Sequence, residues 1–296
     1  MNQDLLNEYK AVRNNSVGFY EQKRGLIEVS GLEAVQFLNG LITNDVGKLE
    51  DGAQMRAAFP NAQGRLLATV RVLRRGDKFL FETEAETHEK VYKNLFRFTY
   101  AGDFFVEDLS DNFRYFEISN FEFQIPKTDF IEFQSGFGKS VFFPKESTED
   151  FTRELKSQNA VEISDELYEV LRIENGTPLY GVDADETTIV PELGVENLIS
   201  YSKGCYIGQE IIARIHFRGH IAKQLTGLIL EAEAKRGDEL KSLDGKNAGR
   251  ITSVTFSPAL GKFIALAFVR YEFLAEKTEL KISETAATVK DLPFIS

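Results

Sequence analysis

Cysteine is almost absent: the 296-residue chain holds one, Cys205. That excludes an intramolecular disulfide and fits a reducing compartment. A lone thiolate cannot hold an iron–sulfur cluster, which takes about four protein ligands, and only three histidines stand beside it in the composition. Basic residues are outnumbered, 35 against 46 acidic, giving a net charge of −11. Such a surface repels a phosphate backbone unless basic residues cluster, which argues against direct nucleic-acid binding but not against recognition of a small anion. Long apolar runs are missing too, the longest being Phe263 to Val269, far too short to span a bilayer. No basic segment leads into an apolar stretch near Met1, so no secretory signal and a cytoplasmic location are expected. Internal repeats, a Gly-rich phosphate loop, a serine-nucleophile elbow and a histidine-based zinc motif are likewise lacking.

What remains is an ordinary globular composition, 43% hydrophobic and 27% charged, on a chain long enough for two or three packed units. Residues 25–31 read as a strand and turn, after which Ser30 and Glu33 have the spacing of a capping box. Ala34, Val35, Phe37 and Leu38 supply the stripe of that helix, and Asn39-Gly40 is expected to end it. Arg65–Leu73 and Lys78–Glu82 read as a hairpin about the turn Arg75-Gly76-Asp77. A helix is expected from about Thr87, with Val91, Leu95 and Phe98 on one face. Phe104 to Phe143 contains eleven Phe, many alternating with polar residues as in FRYFEI and FEFQI. That period of two predicts half-buried strands and a core role, because basic residues are too few in it for a base-stacking platform. Two helices follow, opening at Ser147 and Ser164. After Ala222 short strands alternate with turn residues, as in a small antiparallel barrel. The fold class is therefore α+β, with a main unit over 1–218 broken near 103–115 and an all-β module over 222–296.

Three clusters could carry chemistry. In Lys203-Gly204-Cys205-Tyr206-Ile207-Gly208-Gln209-Glu210, the glycines allow close backbone approach and the lysine favours a thiolate. Gln209 opens a helical pattern whose N-terminus favours an anion. The alternative is that Cys205 is a small buried hydrophobe. In RIENGTPLYGVD, Glu174 ends a helix ahead of a Gly/Pro turn, where a carboxylate could grip the amino-pyrimidine edge of a pterin. The alternative is a glutamate paired with an arginine on a solvated face. His216 and His220 have a metal-ligand spacing, but Gly219 breaks the helix between them and no partner lies close in sequence.

The run KGCYIGQE followed by IIAR closely resembles the signature of the YgfZ-type folate-binding proteins, relatives of the glycine-cleavage aminomethyltransferases. VSGLEAVQFLNGLITNDV, FPNAQGRLLATVRVLR, RIENGTPLYGVD and GRITSVTFSPALGKFIALAFV are similar to other family segments and occur in the family's order. The resemblance implies two α+β subdomains and a C-terminal barrel around a tetrahydrofolate site. It implies that Glu174 binds the pterin, that Asn44, Asp45 and Arg65 rim the pocket, and that Arg214 contacts the folate or its glutamate tail. Tyr206 and Gln209, within the motif, join the cofactor-binding set. Cys205, with Lys203, would be the reactive group or a shared iron ligand of a transient iron–sulfur cluster. The implied function is an accessory role in iron–sulfur cluster assembly or repair, acting with assembly or client proteins and indirectly supporting tRNA modification. A monomer is expected. The alternative is a folate-dependent one-carbon transferase or demethylase. Aminomethyltransferases carry two aspartates where this chain has Ala68 and Thr69, which argues against the classical transfer chemistry.

Overall fold

Strand periodicity builds the first layer. The computed structural model describes residues 3–14, 16–119, 130–136 and 138–295. Helix α1 (Gln3–Arg13) leads into β1 (Gly18–Gln22), β2 (Arg24–Ser30) and α2 (Ala34–Leu41), then β3 (Gln54–Pro60), β4 (Leu66–Arg75), β5 (Lys78–Glu84), α3 (Ala85–Phe96) and β6 (Phe105–Asp108). β3-β4-β5-β2-β6 form one antiparallel sheet. Alternate residues point to opposite faces. One face sends Ile27, Val29, Ala57, Phe59, Ala68, Val70, Val72, Phe79 and Phe81 into a core closed by Leu38 and Leu41 of α2 and Val91 and Leu95 of α3. The other face carries Leu26 and Leu80 at one end and Arg24, Thr69, Arg71, Glu82 and Glu84 at the other.

The second layer repeats this plan with phenylalanine. β7 (Phe113–Ser119), β8 (Ile131–Ser135), β9 (Gly138–Pro144), α4 (Thr148–Ser157), β10 (Val161–Glu162) and α5 (Asp165–Glu174) follow in order, and the sheet runs β10-β1-β7-β9-β8. Phe19, Phe116, Ile118, Val141 and Phe143 pack under Phe151 and Leu155 of α4. On the reverse face Tyr115, Ile131, Phe133 and Phe142 meet Leu26 and Leu80 of the first sheet. Phe116, Phe133, Phe142 and Phe143 of this stretch are thus core, divided between the two faces as their alternation predicts, whereas Phe105 is exposed; the FEFQI segment and Phe137 lie outside the described residues.

Helix α6 (Gln209–Arg218) precedes β11 (Lys223–Leu230), β12 (Glu239–Ser242), β13 (Asn247–Ser257), β14 (Lys262–Arg270), β15 (Glu279–Ile282) and β16 (Thr285–Lys290). These close into a six-stranded antiparallel barrel, ordered β11-β14-β13-β12-β15-β16. The fold is α+β with a C-terminal barrel. Among the described residues no helix is long and apolar enough to cross a membrane.

Two local expectations are corrected. No capping box opens α2: Ser30 pairs with Phe105 at the end of β2, and the Glu33 carboxylate accepts from the Asp103 backbone N–H at 2.7 Å. Gly40 does not end that helix, which runs through it to Leu41. Ser164, by contrast, caps α5 by accepting from Leu167 N–H at 3.2 Å.

Candidate functional site

Where the two sheets face each other, their polar ends enclose a cavity of about 190 Å³. The first sheet contributes Arg24, Arg56, Thr69, Arg71, Glu82 and Glu84; the second contributes Glu117 and Ser135. Tyr168 and the turn Asn175–Pro178 close one side, and Val195 and Leu198 another.

The charges fall into two groups. Glu82 is buried against two arginines: Arg71 Nε donates to it at 2.9 Å, and Arg24 Nη1 lies 3.0 Å from its other oxygen. That second contact is close but off-axis, since Glu82 Oε1 accepts no hydrogen bond. Burial alone would raise this carboxyl, but Arg71 and Arg24 reverse the effect and hold it below the usual range. Burial would likewise lower Arg24 and Arg71, and Glu82 raises both instead. Arg71 reaches on to the second sheet, donating to Gln134 O, Ser140 Oγ and Tyr115 Oη at 2.9, 3.0 and 2.7 Å. It therefore ties the two cavity walls together.

The second group has no such partners. Glu84 accepts only from neutral donors, Thr69 Oγ1 at 3.1 Å and Tyr180 N–H at 2.9 Å. Burial raises its carboxyl, and Arg24 offsets this only in part. Glu117 accepts from Tyr115 Oη, Gln22 Nε2 and Ser135 Oγ at 2.9, 3.2 and 3.5 Å. Among the described residues the Arg56 side chain has no hydrogen-bond or ion-pair partner; it is exposed through the mouth. The protein around it and the nearby Arg71 lower it, with Glu82 opposing.

None of the site residues expected from sequence lines this cavity. Glu174 is fully buried behind it. Its carboxylate accepts from Tyr9 Oη at 2.9 Å, from Ser257 Oγ at 2.5 Å and from Arg13. It joins α1, α5 and the barrel, and its arginine partner lies on a face that is not solvated. Tyr9 is pushed up to about 12 by burial and by Glu174. The neighbouring Arg172, also buried, donates to Thr177 O, Asp183 Oδ2 and Ser253 Oγ at 2.7, 2.7 and 2.9 Å. It anchors the cavity-lining turn to the barrel.

The KGCYIGQE loop packs elsewhere. Gly208 caps α6 with φ of 80°, and a Cβ there would stand 2.3 Å from the Asn61 carbonyl oxygen, so close approach does require this glycine. The partner is the hairpin turn rather than a ligand. Lys203 is buried and donates to Ile42 O at 2.8 Å and Asn44 O at 2.7 Å, with Nζ 5.1 Å from the Tyr206 ring centroid. Burial pulls it down to about 8, against the pull of Asp45. Its ammonium is thus committed to carbonyls. Cys205 is exposed, so the packed-hydrophobe alternative fails. Gln209 Nε2 returns to Gly204 O at 3.4 Å. Asn44 donates to Arg56 O and Asn197 O, both at 2.8 Å. Asp45 caps the turn after α2, accepting from Gly47 N–H and Asn39 Nδ2 at 3.0 Å. Arg65 donates to Thr187 O, and Arg214 lies exposed on α6. Among the described residues no group of three or more His, Cys, Asp or Glu could hold a metal ion; a cluster at Cys205 would need its other ligands from another molecule.

The acids and arginines of the cavity were missed in the sequence, although a signal existed. Arg71, Glu82 and Glu84 are charged residues on one alternating face of strands whose other face is apolar.

Residues 1–119 match the model of the GCVT N-terminal domain, and residues 223–295 that of the glycine cleavage T-protein C-terminal barrel domain. The chain is aminomethyltransferase-like. It is 28% identical over 322 residues to an aminomethyltransferase of Thermoanaerobacter pseudethanolicus, covering 95% of this chain and 86% of the relative. It is 29% identical to that of Thermotoga neapolitana, covering 90% and 81%. The crystal structure of glycine cleavage system aminomethyltransferase T from Bartonella henselae superposes with a TM-score of 0.87 at 19% identity, over 98% of this chain and 89% of that one. Within this aminomethyltransferase-like fold, β2 to β5 and Glu117 all belong to the matched N-terminal domain. Of the two positions where the resembled enzymes carry aspartates, Ala68 faces the helix-covered core and Thr69 faces the cavity.

Proposed function

We propose that this protein binds a reduced folate between its two sheets and acts as a folate-dependent one-carbon transferase. One observation carries the reading: a single cavity presents an unpaired guanidinium, Arg56, and two carboxylates, Glu84 and Glu117, that neutral groups alone touch. A reduced folate has the matching halves. Its pterin ring offers N–H donors to carboxylates, and its glutamate tail offers carboxylates to a guanidinium. Titration with tetrahydrofolate should raise the melting temperature, because a ligand bound only by the folded form stabilises it. Arg56→Ala should weaken tetrahydrofolate about tenfold, the worth of one charge-assisted contact, and leave a tetrahydropterin lacking the tail unaffected. Equal losses for both ligands, or none, would place the tail elsewhere. Incubation with tetrahydrofolate and an aminomethyl donor should yield methylenetetrahydrofolate with release of ammonia; bound folate without product would reduce the reading to a binding protein.

One observation favours a second role beside this one, as an accessory of the YgfZ-type branch in iron–sulfur cluster assembly. The signature cysteine is exposed on a loop outside the cavity, where a partner protein rather than the folate would meet it. In cells, unchanged activity of cluster-dependent enzymes on Cys205→Ala would end that reading. A cytoplasmic monomer is the setting in which both are proposed.

A further inference from the structure

We infer that Glu84 meets the one-carbon end of the folate, supplying from β5 the carboxylate that the resembled aminomethyltransferases place on β4. The inference rests on the folate reading and deepens it. Val70 pairs with Thr83 and Arg71 with Glu82, so the same antiparallel register sets Thr69 beside Glu84 on the cavity face. Side chains opposed in this way reach common space. The Thr69 hydroxyl, standing where the relatives have a carboxylate, donates to Glu84 Oε1 at 3.1 Å. A longer side chain on the neighbouring strand thus brings a carboxylate oxygen to within hydrogen-bond distance of the position where a shorter acid is missing. The Tyr180 N–H fixes the second oxygen at 2.9 Å.

Glu82, two residues earlier on the same strand face, shows why the role falls to Glu84. Glu82 is neutralised by Arg71 and Arg24, whereas among the described residues Glu84 has no cation within ion-pair distance. A one-carbon unit that passes between amine nitrogens carries positive charge as an iminium once the bond to the leaving amine breaks, and an unneutralised, oriented carboxylate in a partly buried site stabilises such a cation. Glu117 is left for the amino edge of the pterin.

The experiment compares binding of 5,10-methenyltetrahydrofolate, whose bridged ring is cationic, with that of tetrahydrofolate, whose ring is neutral, in one buffer that preserves the methenyl form. The wild type should prefer the cationic ring. Glu84→Gln should lose about tenfold of that preference. Thr69→Asp added to Glu84→Gln should restore it by returning the acid to β4. A preference in Glu84→Gln equal to that of the wild type, with folate still bound, overturns the inference alone. Should the variant not fold, equal binding of the two ring forms by the wild type overturns it. Failure of either folate to bind the wild type overturns the folate reading itself.

Discussion

The cavity and the KGCYIGQE loop invert what each seems to offer. The loop is conspicuous in sequence, with a lone cysteine, a lysine and two glycines, yet its polar groups are spent on the protein: Lys203 on two carbonyls and Gln209 on Gly204. The cavity residues form no recognisable run, being scattered from Arg24 to Glu117, and they retain unspent hydrogen-bonding capacity and charge. A polar group already satisfied by its own chain gains little from a ligand, while a partly buried one that lacks a partner gains much. Free capacity, more than local density of reactive residue types, marks the site.

The sharpest break of this contrast is Arg71→Met. It strips Glu82 of its directed partner and uncouples the two sheets, and should cost about 3–5 kcal/mol in chemical denaturation, the usual penalty for orphaning a buried charge. Because Glu82 is held below its unfolded value, its contribution is present above the unfolded carboxyl range near about 4.3 and lost as pH falls through the lower folded value. The acid limb of the wild-type stability curve should therefore flatten in the variant. Next in size is Glu174→Ala, which leaves Arg13, Tyr9 and Ser257 without their common acceptor and should cost about 2–4 kcal/mol. Tetrahydrofolate affinity measured well below the new melting temperature should stay within about threefold; a loss of tenfold or more would put Glu174 back at the ligand.

Lys203→Met tests the loop, with an expected cost of about 1–3 kcal/mol from two lost carbonyl bonds. The sign with pH is the same as that of Glu82, in a more alkaline window. Burial pulls Lys203 down to about 8, below its unfolded value of about 10.4, so between these limits the unfolded chain binds more protons. Wild-type stability relative to the variant should then rise across that window. The smallest effect belongs to Cys205→Ala. An exposed side chain without a partner role in the fold should change stability by less than about 0.5 kcal/mol and leave folate affinity alone. Native protein should react fully with a maleimide, and a protected thiol would contradict its exposure.

Much of the fold was legible because it rests on local rules. The alternation RLLATVRVL and KFLFETE fixed β4 and β5, and the phenylalanine period fixed the second sheet. Ser164 fixed the start of α5, and the turn residues after Ala222 fixed the barrel strands. The local rule failed at Ser30 and Glu33, where a neighbour distant in sequence made the better offer: Phe105 extended β2 through Ser30, and the Asp103 N–H claimed Glu33.

The sequence by itself determined the alternating strands, the capped helices, the β-only tail and a family likeness carried by ordered motifs, since each depends on residues near one another in the chain. Only the tertiary structure decided the site. Arg56, Glu84 and Glu117 come from different strands of two sheets, and whether each is spent or free depends on partners such as Arg71, Tyr180 and Gln22 that folding alone brings near. It also set Glu174 behind the cavity, its carboxylate enclosed by Tyr9, Arg13 and Ser257.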